Sequence, residues 1–276
     1  MKNKVGFIGS GNMAGAIISG IAGSLYDCDS IAVFDVDEKK RKQFFLKGMI
    51  VEDSAEDLVK NTEIVFLTVK PAHLNEVLEE IKDSVVPDNI FVSVVAGVSI
   101  GYIKEKLGVS DVAVVRAMPN TPVLLGKGAT ALSFDKNISD EKIKLVSSIF
   151  ERVGVFRIID ERYMNAVISV NGSSPAYVYM FIKAIADGAV KQGIDIATAL
   201  DLATATVIGA AEMVKASSVS VDELIRAVCS PNGTTLEAVR VLEEKGFEKI
   251  IITAMDACTQ RASELEGEIK GNDRKI

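Results

Sequence analysis

Near its N-terminus the chain reads KVGFIGSGNMAG (4–15), a short apolar run followed by Gly9, Gly11 and Gly15 and then by helix-forming residues. Each glycine has its own physical task. Gly9 permits a tight turn out of a strand, and Gly11 leaves no side chain where a pyrophosphate would approach the backbone. Gly15 lets the following helix pack closely on the sheet. Free amides at the start of that helix then face the phosphates. Asp35 ends the next apolar run, SIAVFDV (30–36). A carboxylate there accepts hydrogen bonds from adenosine ribose hydroxyls and repels a 2′-phosphate. Taken alone Asp35 favours NADH. Lys39, Lys40 and Arg41 follow closely, and one of them can instead hold that phosphate, so NADPH stays open as well.

A second constellation lies far downstream, where CSPNGTTLEA (229–238) separates two helix-like stretches. Thr234 and Glu237 fit a capping box, with Thr234 at the N-cap and Glu237 at N3. A helix starting there offers unsatisfied amides and a positive dipole to an anion. Ser230, Thr234 and Thr235 add hydroxyl donors, and Pro231 restricts the loop. A plain helix–helix corner whose threonine only caps accounts for the same residues. Between the two constellations, Val69, Lys70 and Pro71 in TVKPAH (68–73), and Ala96 and Gly97 in VVAGVS (94–99), end strands where ribose or nicotinamide would lie. VRAMPNTPVLLGKG (115–128) brackets Asn120 and Thr121 with two prolines, which fix φ and exclude local helix. It reads either as a rigid frame for a nicotinamide or as a simple turn.

The elements needed to position these residues are legible in outline. Near-continuous apolar runs at 4–9, 30–36, 63–69 and 90–97 read as parallel strands covered on both faces. Helical stretches such as 12–24, 38–47 and 73–82 separate them, which is doubly wound α/β grammar. Further strands are expected at 112–116, 128–134 and 155–159, with a helix at 139–151. From 161 onward the chain is rich in Ala, Met, Ile and Val, and its helices are apolar on more than one face. Such helices need neighbours on most sides. The two-domain reading is therefore 1–160, dinucleotide-binding, and 161–276, all-helical, with a second subunit covering part of the helical surface. The polar tail GEIKGNDRKI (267–276) is expected to fray.

Composition narrows the function classes. A net charge of −7 over 276 residues argues against a nucleic-acid surface. No uninterrupted run of eighteen apolar residues occurs, which argues against a membrane span, and the glycine turn comes too early for a secretory leader. Cys28, Cys229 and Cys258 have no metal-ligand spacing and read as reduced thiols in a cytoplasmic chain. His73 is the single histidine, which argues against a His-rich zinc site and a Ser-His-Asp triad. It reads as a loop or helix-start residue without a chemical role.

GFIGSGNMAGAI, TVKPAH, VRAMPNTP and CSPNGTTLEA, in that order along nearly the whole chain, resemble the pyrroline-5-carboxylate reductase family. The resemblance implies an N-terminal Rossmann-type sheet and a C-terminal all-helical dimerisation domain that interlocks with a partner. It also implies dimers assembling into rings, commonly decamers. The implied reaction is reduction of 1-pyrroline-5-carboxylate to L-proline by NADPH or NADH, without metal. Residue by residue, Gly9, Gly11, Asn12, Met13 and Ala14 correspond to the phosphate loop. Val69, Lys70, Pro71, Ala96 and Gly97 correspond to the cofactor rim, and Met118, Pro119 and Asn120 to the nicotinamide wall. Ser230, Gly233 and Thr234 correspond to the grip on the substrate carboxylate, and Thr235 to the threonine facing the ring nitrogen. Asn171 and Ser174 stand where family members commonly have Ser and Gly, and Asn232 where Gly is common. Their bulk can reshape the substrate pocket, although Asn tolerates left-handed dihedrals. Two other readings stay open: a related reductase of another small imino or 2-hydroxy acid, and a non-catalytic dinucleotide-binding regulatory paralogue.

Overall fold

Successive side chains of a strand point to opposite faces, so a strand buried on both sides must feed two cores. The first strand does this. In the computed structural model, which describes residues 3–272, β1 (Asn3–Ile8) sends Val5 and Phe7 into one apolar cluster and Ile8 into another. The elements that follow are α1 (Asn12–Ile21), β2 (Ile31–Phe34), α2 (Glu38–Phe45), β3 (Ile50–Val51), α3 (Ala55–Asn61), β4 (Thr62–Leu67) and α4 (Leu74–Ile81). Then come β5 (Ile90–Ser93), α5 (Ile100–Leu107), β6 (Ala113–Met118), β7 (Gly128–Phe134), α6 (Asp140–Arg152) and β8 (Gly154–Ile158).

The eight strands form one sheet in the order β3-β2-β1-β4-β5-β6-β7-β8. Among the described residues only the β6–β7 pair is antiparallel; the other strand pairings are parallel. The order reverses at β1 and β4, so a crevice opens beyond their carboxyl ends, the usual ligand position in such sheets. On one face α1 and α6, the latter through Phe150, pack over Phe7 and Phe66, whose rings stack 4.6 Å apart. On the other, α3, α4 and α5 cover Ile8, Val65, Leu67 and Phe91. Each such side chain removed from water contributes about 1.5–3 kcal/mol. Serines start α3, α5 and α6: Ser54, Ser99 and Ser139 each accept the N–H three residues on.

The sequence reading anticipates the doubly wound sheet but passes over β3, α3 and α5, elements of two, seven and eight residues. Gly15 does not have the close-packing role expected of it. A Cβ there would meet only Phe44, at 3.9 Å, whereas one on Gly20 would lie 2.2 Å from Val153. The tight approach of α1 to its neighbours is made one and a half turns later.

Among the described residues, 3–173 and 257–272 form one compact unit, and 174–256 form another. The expected boundary at 160 therefore falls inside the first unit, which also takes in residues 257–272. The second unit is helical: α7 (Ser174–Lys191), α8 (Ile196–Ala216), α9 (Val221–Val228), α10 (Thr234–Glu244) and the first part of α11 (Phe247–Asn272). Within a single chain these helices leave large apolar residues in the open, among them Tyr179 at 60%, Met180 at 71%, Ile208 at 60% and Met213 at 58% exposure. By length and composition α8 could also cross a membrane, with mean hydropathy 1.3; Asp201 and its threonines interrupt the uninterrupted run that the sequence reading looks for. Of the tail expected to fray, 267–272 are helical in α11, and 273–276 lie outside the described residues.

Candidate active site

Three strand ends build the turn at Gly9. The Gly9 N–H donates to Phe34 O at 2.8 Å, and the Thr68 N–H donates to Ile8 O at 3.0 Å. The Thr68 hydroxyl bonds Ile8 O at 2.9 Å and Gly9 O at 2.5 Å. Gly9 has φ +92°, and a Cβ there would lie 3.0 Å from the Thr68 carbonyl, so this position demands glycine. Gly11 is different. It is the N-cap of α1 in ordinary extended geometry, φ −73° and ψ −170°, and nothing lies within 4 Å of where its Cβ would be. The open space above Gly11 is room that the protein itself does not fill, beside amides without a side-chain cap. These residues fit a pyrophosphate.

Asp35 is 7% exposed and tied on both oxygens. Oδ2 accepts from the Ser10 N–H at 2.7 Å and the Ser10 hydroxyl at 2.9 Å, Oδ1 accepts from the Asp37 N–H at 2.9 Å, and Lys40 Nζ stands 3.5 Å away. Burial by itself would raise the Asp35 carboxyl, but these donors and the Lys40 charge hold it below the usual carboxylate range. It is ionised at neutral pH. A cleft of about 520 Å³ brings together Gly9, Gly11, Asp35, Val69 and Lys70 from the expected set. Val36, Lys40, His73, Val77 and Glu80 are among its other walls. Val36 is 91% exposed on the cleft wall. His73, read from sequence as a bystander, lines the cleft. Glu80, which also lines the cleft, has its carboxyl raised by burial and by Glu56 and Glu76.

Other expected residues lie elsewhere. Asn12 is exposed, whereas Ala14 is fully buried in the core and Met13, partly buried, packs against the same cluster, so the Ala14 side chain serves the core. Pro71 opens an exposed turn after Lys70. Ala96 and Met118 share a small apolar cluster with Ala131 and Met164. Gly97, at φ +73°, lies under α11, where a Cβ would be 3.1 Å from Glu266 N. Met118, Pro119 and Asn120 are all buried at the end of β6. The sequence reading missed what holds this segment. Arg116, 2% exposed, donates through Nη2 to Asn165 Oδ1 at 2.6 Å, and Asn165 Nδ2 donates to Glu266 Oε2 at 2.7 Å.

In the helical unit, the Gly233 N–H donates to Ser230 O at 2.9 Å, and Asn232 has φ +58°. With Pro231 at the second position and Asn232 at the third, this is a type II turn. Asn232 thus carries the left-handed geometry expected of it. The expected capping box is not there. Gly233, not Thr234, is the N-cap of α10, and no side chain caps the helix. The turn delivers the chain into the helix one residue early, so Thr234 is already helical, and Glu237 pairs with Arg240 at 3.1 Å instead. A Cβ on Gly233 would lie 2.3 Å from Ser230 Oγ, so the serine hydroxyl sits over the helix start. Thr234 is exposed and Thr235 half-buried in the first turn. The capping box that does form is Ser220 with Glu223, at α9. Nor is Asn171 simply added bulk: its amide is bound to the backbone carbonyls of Met118 and Ala129.

Residues 4–97 match the family model described as NADP oxidoreductase, coenzyme F420-dependent. Residues 161–265 match the one described as pyrroline-5-carboxylate reductase dimerisation. The pyrroline-5-carboxylate reductase of Escherichia coli is 40% identical over 270 residues, spanning 96% of this chain and 99% of the relative. The chain belongs to the pyrroline-5-carboxylate reductase family. The reductase of Aquifex aeolicus is 36% identical, with 95% of this chain and 97% of the relative covered. The pyrroline carboxylate reductase of Plasmodium falciparum, solved with NADP bound, superposes with a TM-score of 0.87 at 30% identity, covering 96% of this chain and 99% of that one. The Coxiella burnetii reductase gives 0.88 at 33%, with the same coverage. The Rossmann-type sheet and helical dimerisation domain implied by the sequence motifs are those of the reductase family.

Proposed function

We propose that this chain reduces 1-pyrroline-5-carboxylate to L-proline with NADH or NADPH, the last step of proline biosynthesis, in the cytoplasm. Identity of 40% to the Escherichia coli reductase over nearly the full length of both chains carries the reading. When bound, a reduced nicotinamide supplies the hydride. Gly9, Gly11 and the start of α1 hold its pyrophosphate, and Asp35 takes the adenosine ribose. Val69, Lys70, Pro71, Ala96 and Gly97 form its rim, and Met118, Pro119 and Asn120 form the wall for the nicotinamide. The exposed amides of α10, with Ser230, Gly233 and Thr234, hold the substrate carboxylate. The Thr235 hydroxyl faces the ring nitrogen. Steady-state turnover of a panel of cyclic imines and 2-oxo acids with both cofactors tests the assignment. Preference for another substrate would favour a sister reductase, and cofactor binding without turnover a regulatory paralogue.

NADH is the modestly preferred cofactor in this proposal, because the ionised Asp35 repels a 2′-phosphate. Lys40, in the same cleft, offsets part of that repulsion. Asp35→Ser is expected to shift the NADPH/NADH ratio of kcat/KM towards NADPH by on the order of 10-fold. Loss of the Ser10 tie lowers efficiency with both cofactors. An unchanged ratio, or one moved towards NADH, would show that Asp35 does not read the ribose.

The assembly proposed is a dimer through the helical domain, with dimers joining into a decamer. Support for the dimer is the apolar surface that α7 and α8 leave open, together with the dimerisation family match. Light scattering of the dilute protein is expected to give at least a dimer mass. A well-folded monomer contradicts this.

A further inference from the structure

We propose that Asn171 is a positioning residue for hydride transfer, its amide clasping the Met118–Asn120 loop to β7. This rests on the reading of that loop as the nicotinamide wall. Asn171 lies in a π-helical turn, Ile168–Gly172, and is 9% exposed. Turns of this kind are rare and recur at functional sites. Both hydrogens of its side-chain amide are used: Nδ2 donates to Met118 O at 2.6 Å and to Ala129 O at 2.8 Å. Asn120 reciprocates, Nδ2 donating to the Asn171 carbonyl at 3.1 Å and Oδ1 accepting the Ala129 N–H at 2.9 Å.

The location of these four bonds explains their use. The β6–β7 ladder ends at the pair Met118–Ala131, so Ala129 lies beyond its last rung. The two strands diverge there to admit the proline-bracketed loop, and the two asparagines replace the missing backbone bonds. Holding two carbonyls fixes which way the Asn171 amide faces. Its Oδ1 is then buried without a partner, a cost the amide carries while it keeps both carbonyls paired. With Asn120, the amide fixes the loop in one geometry where the backbone ladder no longer does. Misplacement of reacting atoms by a fraction of an ångström to an ångström costs rate rather than affinity.

The test uses the full-length protein with Asn171→Asp, which puts a carboxylate oxygen, an acceptor, where Nδ2 donates to two carbonyls, and Asn171→Ser, a milder variant that retains one donor. Met118→Ala probes the wall directly. Melting temperature, cofactor Kd, and kcat and KM for 1-pyrroline-5-carboxylate are measured for each. For Asn171→Asp, kcat is expected to fall by about 10- to 100-fold, less for Asn171→Ser, with cofactor Kd and substrate KM within about 3-fold of the parent. If Asn171→Asp fails to fold, Asn171→Ser carries the test. Parental kcat in the folded Asn171 variants while Met118→Ala is impaired overturns the positioning role alone. A Met118→Ala protein unchanged in Kd, KM and kcat overturns the wall reading and the positioning role with it.

Discussion

Gly11→Ser is expected to weaken binding of the reduced cofactor by about 10- to 100-fold, the loss of one charge-assisted hydrogen bond or a little more, while the fold stays as stable as the parent or gains slightly. The two effects have separate origins. Gly11 is the N-cap of α1 in extended geometry that any residue adopts, and the space around its missing side chain is open. Serine is a better helix cap than glycine, so the folded chain accepts it. What the side chain occupies is the approach to the free amides, which matters only to a bound phosphate. Thermal unfolding paired with cofactor titration separates the two readouts. Unchanged affinity would show that no pyrophosphate lies over Gly11, and a large fall in melting temperature would make the glycine structural.

Thr235→Ala is expected to lower kcat/KM by roughly 5- to 150-fold, about 1–3 kcal/mol of transition-state stabilisation, with cofactor affinity and stability near parental. The hydroxyl's proposed partner is the imine nitrogen, whose charge changes as the hydride arrives. Thr234 separates this from a structural effect. Because Gly233 is the cap, Thr234→Ala removes no N-cap, and its stability is expected to stay within about 0.5 kcal/mol of parent. Its effect falls on KM, through the carboxylate. Thr235→Ala kinetics equal to parent would reduce Thr235 to part of the corner and leave anion binding to the α10 amides and Ser230.

The residues of the phosphate turn were legible because their constraints are local. A strand, a glycine with positive φ and a helix start follow one another within a dozen residues, and Asp35 ends the adjacent strand. The family motifs extended that reading to the substrate loop. The start of α10 was misplaced by one residue because the cap depends on turn type, and Pro231–Asn232 selects the turn. His73 and Val36 were missed because their positions in the cleft follow from the meeting of β2 and α4, which no spacing in the sequence records. The Asn171 amide and the Arg116–Asn165–Glu266 chain are bonds between residues far apart in sequence. Nothing near Asn171 in the sequence announces that its amide finishes the β6–β7 ladder.

The central claim is that this chain moves hydride from a nicotinamide to the imine carbon of 1-pyrroline-5-carboxylate. The direct measurement supplies the purified protein with that imine and with NADH or NADPH carrying deuterium in the transferred position at C4, and analyses the product by mass and NMR. L-Proline with a single deuterium at C5, formed in step with cofactor oxidation, is the predicted result. Cofactor bound but no labelled proline formed, while the same preparation reduces a different imine or none, would contradict it.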